Sequence, residues 1–179
     1  MPKSEIGLRG YIGEAIVNQW LNRKYPISER YEVISQIIPD GVPKKGGPYL
    51  DFGVIKDNIV KEVYEVKTQD YIFDKTFNIN ISLEHIWKNK DKIFEFKDQN
   101  GKEFKCDGNL KGYLILLAPP NKDGRERLGE NIKYVKLFSD IFDDPNYSCE
   151  SKEIFQNSEK DFVANIEHLK HPKERLSEK

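Results

Sequence analysis

The stretch YLDFGVIKDNIVKEVYEVKTQ, Tyr49 to Gln69, reads as a β-hairpin, and its register determines which side chains meet. In an antiparallel pair, residues two apart share a face, and residues opposite one another have numbers of constant sum. A turn centred on Asn58 makes that sum 116, so Asp51 lies across from Glu65 with Cβ atoms roughly 4.5–5.5 Å apart. Two carboxylates that close repel unless a positive charge lies between them. Glu65, Lys67 and Gln69 take every second position of the outgoing strand, so an acid, an amine and an amide point the same way as Asp51. The pattern predicts a divalent-metal site with a lysine beside it.

Composition frames this reading. A chain of 179 residues that is 37% hydrophobic, with ten Phe and nine Tyr, has the means to bury one core, so a single globular domain over 1–179 is expected. The 29 basic and 30 acidic residues leave a net charge of −1, so phosphate contacts would have to come from local patches. Cys106 and Cys149 have no CxxC spacing, which excludes a zinc ribbon or a disulfide scaffold and fits a reducing compartment. With no apolar run of membrane-spanning length and no signal peptide, the expectation is a cytoplasmic protein with no membrane partner.

Outward from the hairpin, a helix is expected from Ser4 to Lys24, capped by Ser4 and stopped by Pro26, with Ile12, Ala15, Ile16, Gln19 and Trp20 as its buried stripe. Gly7, Gly10 and Gly13 each lower helix propensity by about 1 kcal/mol but permit another backbone to come close. They follow no strand and lack the spacing of a phosphate-binding loop. Tyr31–Ile38 reads as a strand closed by a Pro39-Asp40-Gly41 turn, and PKKGGP (43–48) leads into the hairpin, its Lys44 and Lys45 available for phosphate contacts but by default those of a solvated loop. Ser82 to about Lys97 has helical spacing, Asp98–Gly108 is a polar turn region, and Tyr113–Ala118 is a strand covered on both faces. Asn131–Phe138 alternates as a further strand, and Lys152–His171 holds a weaker helix.

The order of helix, three strands, helix and strand, together with Asp51, Glu65-Val66-Lys67 and a helical Glu14 in GYIGEA, resembles the PD-(D/E)xK nuclease superfamily. The resemblance covers about residues 4–120 and implies a restriction-endonuclease-like α/β fold: an αβββαβ core whose mixed central sheet is flanked by helices. A strand and helix at 121–179 extend it. It implies that Asp51 and Glu65 hold magnesium or manganese, that Lys67 assists the attacking water, that Glu14 completes the site, and that Gln69 takes the place of a polar residue found after the lysine in some branches. The Val66 carbonyl, between Glu65 and Lys67, offers a further hard oxygen. The expected activity is phosphodiester hydrolysis of nucleic acid, DNA above all, in restriction, mobile-element defence or repair, and a homodimer is compatible with it. The alternative is a non-cleaving nucleic-acid-binding or protein-interaction module on the same scaffold.

No proline precedes Asp51, whereas Pro39-Asp40 supplies the literal dipeptide and makes Asp40 a rival ligand. A Pro-Asp-Gly turn explains Asp40 fully, so Asp51 is preferred. Glu14 has Val17 and Leu21 at i+3 and i+7, which sets its carboxylate at the edge of an apolar face, where it needs a partner. His85, His168 and His171 form no ligand constellation, and Ser139 lacks a base.

Overall fold

The computed structural model describes residues 3–43, 48–68, 78–89 and 91–145, with backbone alone for 3–9. Gln69, Lys44, Lys45, Cys149, His168, His171 and the helix expected at 152–171 lie outside them. The elements are α1 (Lys3–Lys24), β1 (Tyr31–Pro39), β2 (Leu50–Lys56), β3 (Ile59–Lys67), α2 (Ile81–Lys88), β4 (Glu95–Asp98), β5 (Glu103–Leu116), α3 (Lys122–Leu128), β6 (Val135–Leu137) and α4 (Phe138–Phe142). The chain is therefore α/β, a mixed six-stranded sheet flanked by helices.

The β2–β3 hairpin turns on Asp57 and Asn58, both left-handed (φ 52° and 63°), a pair of conformations that matches the twist of the flanking strands. This two-residue turn pairs Lys56 with Ile59 and Ile55 with Val60, a sum of 115, so the turn is not centred on Asn58 as the sequence suggested. Lys61 then drops out of the ladder as a bulge, and from Val54–Glu62 to Phe52–Tyr64 the sum becomes the expected 116. Lys61 is held by an ion pair with Asp107 on β5.

β1 and β2 are antiparallel, β3 and β5 parallel, and β6 lies parallel to the end of β5. The first residues of β5 also pair with β4, and β4 pairs with the end of β1, so the strand contacts close on themselves. This corrects two expectations. The helix expected to reach Lys97 stops at Lys88, and the region taken as a polar turn is a hairpin in which Phe96 faces Phe104 across the strands, both fully buried. The strand expected at 131–138 is a 3₁₀ turn (Gly129–Tyr134) followed by the three residues of β6 and then α4.

The core has two parts, one on each side of the sheet. Under α2, Leu83, Ile86 and Trp87 cover Val63, Leu114 and Leu116. Gly112 lets α2 approach, since a Cβ there would lie 2.8 Å from Leu83 Cδ1, and Trp87 Nε1 donates to its carbonyl at 2.9 Å. On the other side α1 and α4 cover Phe52, Val54, Tyr64, Val66 and Ile115. The buried face of α1 runs through Gly13, Val17, Trp20 and Leu21, whereas Ala15 and Gln19 of the expected stripe are exposed. Gly13 centres that contact: a Cβ there would stand 2.2 Å from Thr68 Cγ2, directly after Lys67. The glycine thus brings α1 against the end of β3.

Candidate active site

β2 and β3 bring the predicted pair together. Extending the ladder one residue past Phe52–Tyr64 sets Asp51 opposite Glu65, and Asp51 Oδ2 accepts a hydrogen bond from the backbone N–H of Val66 at 2.7 Å. Glu65 is 2% exposed. Its Oε1 lies 2.5 Å from Lys67 Nζ, and its Oε2 accepts from Asn80 Nδ2 at 3.1 Å. The alternation of β3 is what lets Glu65 and Lys67 reach each other over a buried residue. Glu14 is half-buried on α1 and lies within electrostatic reach of Lys67, Asp51 and Glu65. Of the predicted ligands and catalytic groups, Asp51, Glu65, Lys67 and Glu14 thus gather at one place; at Val66 it is the N–H, not the carbonyl expected as a ligand, that bonds Asp51.

Each acid is biased toward its neutral form. Burial and then the Glu65 charge push the Asp51 carboxyl up to about 7, against the Val66 N–H that favours its anion. Burial raises Glu65 as well, with the Lys67 ammonium and the Asn80 amide pulling the other way. Glu14 is raised by burial and drawn back by Lys67. Three acids therefore share one ammonium. Among the described residues no group of three or more His, Cys, Asp or Glu side chains is arranged to hold a metal ion. The donor set is a pair of hard carboxylates left electrostatically strained, and one divalent cation between them would relieve both.

Two residues escaped sequence reasoning. Asn80 caps α2, its Oδ1 accepting from Ser82 N at 2.9 Å while its Nδ2 also donates to the Tyr49 carbonyl at 2.9 Å. It ties the helix N-terminus, the entry to β2 and Glu65 into one node, and Ser82 Oγ adds a hydrogen bond to the Pro48 carbonyl. An Asn two residues before a buried Ser-Leu at a helix start was the available signal. Gln36 stands opposite Asp51 in the β1–β2 register, between the pairs Ser35–Phe52 and Ile37–Leu50, and has φ of 59°. A left-handed non-glycine within a strand stores strain of roughly 1–3 kcal/mol, here beside the carboxylate. No signal in composition or periodicity marks it.

Asp40, the rival ligand, lies elsewhere. It is exposed, its N–H bonds the Glu95 carbonyl at 2.8 Å, and its carboxylate lies 3.8 Å from Lys97 Nζ. Asp51→Ala should therefore abolish manganese binding measured by calorimetry while Asp40→Ala leaves it intact. The reverse pattern would move the site to the Pro-Asp turn.

No family model, no curated protein and no solved structure matches this chain.

Proposed function

We propose that this chain is a divalent-metal-dependent nuclease of the PD-(D/E)xK type, with a restriction-endonuclease-like core formed by α1, β1–β3, α2 and β5. The observation that carries the reading is the meeting of Asp51 and Glu65, both displaced toward protonation, with Lys67 2.5 Å from Glu65. The order of α1, three antiparallel strands, α2 and a strand parallel to β3 supports it. Asp51 and Glu65 would hold magnesium or manganese, which when bound supplies charge neutralisation at the scissile phosphate and a water of lowered pKa.

The residues themselves have separable tasks. Glu65 accepts from Lys67 and Asn80, so its orientation is set before any ligand arrives. Lys67 is partly exposed with its Nζ beside Glu65, from where it would orient the attacking water and offset the negative charge that develops on the phosphate oxygens. Glu14 approaches from α1 because Gly13 allows that helix to lie against Thr68. A second reading, a nucleic-acid-binding module that does not cleave, is favoured by one observation: both oxygens of Glu65 already have partners within the chain.

The deciding experiment is purified protein with magnesium or manganese on plasmid, linear duplex, single-stranded and branched DNA and on RNA, beside Glu65→Ala. Metal-dependent cutting that the substitution removes supports the nuclease. Binding without cutting on every substrate supports the second reading.

A further inference from the structure

The side of the sheet covered by α1 carries a second assembly that the acid pair does not use. The β3–β5 register sets Glu62 beside Lys111 and Tyr64 beside Tyr113, all pointing to that side. Tyr64 and Tyr113 stack with ring centroids 5.2 Å apart, and Tyr113 is left half-exposed where α1 ends. Lys136 of β6 lies 5.0 Å from the Tyr113 ring centre, and Lys24, in the last turn of α1, lies 4.8 Å from that of Trp20.

The charges here are not balanced. Burial pushes the Lys24 ammonium down; Glu62 and Asp144 oppose that shift, while the charges of Lys136 and Lys111 add to it, which places both of those lysines within electrostatic reach of Lys24. The neighbouring acids are engaged by inward-facing donors. Glu62 Oε2 accepts from the Tyr25 hydroxyl at 2.5 Å and from the Tyr64 hydroxyl, and Asp144 Oδ2 accepts from Trp20 Nε1 at 2.8 Å. Those donors are neutral and leave both carboxylates charged, so three ammonium groups stand against two acids whose oxygens are turned inward, and the patch keeps a local positive excess in a protein whose net charge is −1. Three like charges gathered over an aromatic floor suit an extended anion with flat groups attached.

We propose that this surface, floored by Tyr113 and ringed by Lys24, Lys111 and Lys136, binds the sugar–phosphate backbone of a nucleic acid at a distance from the acid pair. The identity of the polyanion rests on the nuclease reading. Its placement supports that choice. From Glu14 to Lys24 is ten residues of α1, about 15 Å. From Glu62 to Lys67 is five residues of β3, about 17 Å. At roughly 3.4 Å per nucleotide step, one strand could reach both places with about five steps between them.

The test uses the full chain carrying Lys24→Gln, Lys111→Gln and Lys136→Gln, substitutions that keep much of each stem. Binding of fluorescein-labelled 30-nucleotide single-stranded and duplex DNA is followed by anisotropy in EDTA across a salt series. Kd should rise on the order of tenfold or more, and the slope of log K against log salt should fall by about two to three, since each lost phosphate contact removes roughly 0.7–0.9. Lys111→Gln alone, at an exposed position, should lower the slope by about one, which keeps the test decisive if the triple variant folds poorly. Unchanged affinity and slope overturn the proposal. Displacement of the probe by polyglutamate as readily as by unlabelled DNA overturns it in favour of an acidic protein partner. Because binding is read without metal, lysine-dependent binding in a protein that cuts nothing would overturn the nuclease reading and leave this surface standing.

Discussion

Lys67→Met should lower cleavage by on the order of 10² to 10⁴ while leaving manganese affinity nearly unchanged. Methionine retains much of the aliphatic stem, so the substitution removes the ammonium 2.5 Å from Glu65 Oε1 and little else. The carboxylate pair that would hold the ion remains, and relieved of its ammonium Glu65 has all the more need of a cation. Glu65→Ala should lose both functions, because it deletes a ligand and leaves Lys67 Nζ without its carboxylate, while Asn80 Nδ2 keeps only the Tyr49 carbonyl. Calorimetric titration with manganese beside single-turnover cleavage separates the two effects. Full cleavage by Lys67→Met, in a preparation free of contaminating nuclease, would remove the Glu65-Val66-Lys67 tripeptide from the chemistry.

The second large effect is on stability and follows from the Asp51 carboxyl being pushed up to about 7 in the folded chain. An unfolded Asp titrates near 3.9, so between about pH 4 and pH 7 the folded state holds a proton that the unfolded state has lost, and stability falls as pH rises through that window. Above it both states are ionised and the loss is complete, on the order of a few kcal/mol. Asp51→Asn keeps an acceptor for the Val66 N–H and cannot ionise. It should therefore melt several degrees above the native chain at pH 8 in EDTA, with the difference vanishing near pH 4. Added manganese should raise the melting temperature of the native chain at pH 8, less so at pH 5 where protons compete, and scarcely affect Asp51→Asn. An Asn variant that is the less stable partner at pH 8 would mean that the Asp51 charge is already balanced within the fold.

The parts most legible in the sequence were those written in a strict period. Glu65 and Lys67 on one face of a strand follow from a period of two and α1 from helical spacing, and the structure contains them. Asp51 across from Glu65 was reached from a turn centred on Asn58, and it holds because the bulge at Lys61 offsets the two-residue turn. The β4–β5 hairpin was legible but misread. Phe94, Phe96, Phe104 and Cys106 alternate with charged residues about Asn100-Gly101, and Gly101 takes the left-handed φ of 83° that such a turn requires. Helical spacing from Leu83 onward was carried past its true end at Lys88. The face of α1 was read as rotated because apolar counting passes over Gly13, the residue in closest contact with β3. Gln36 was beyond reach for another reason: its role depends on which residue lies across from it, a property of the assembled sheet. The capping role of Asn80 was written in the residues that follow it, but its bond to Glu65 was not.

Lys61 contributes nothing to the chemistry, yet it sets the parity of the site. Were Lys61 drawn into the ladder instead of bulging, the turn at Asp57-Asn58 would carry its sum of 115 down the whole hairpin, and Asp51 would oppose Tyr64. Opposed residues share a face, so Glu65 would then point to the other side of the sheet from Asp51. The site is therefore exposed to a kind of damage that inspection of its own members would miss: a change that presses Lys61 into the ladder, some distance from either acid, separates two carboxylates that are themselves untouched, whereas deletion of Lys61 itself removes the bulge and leaves Asp51 opposite Glu65.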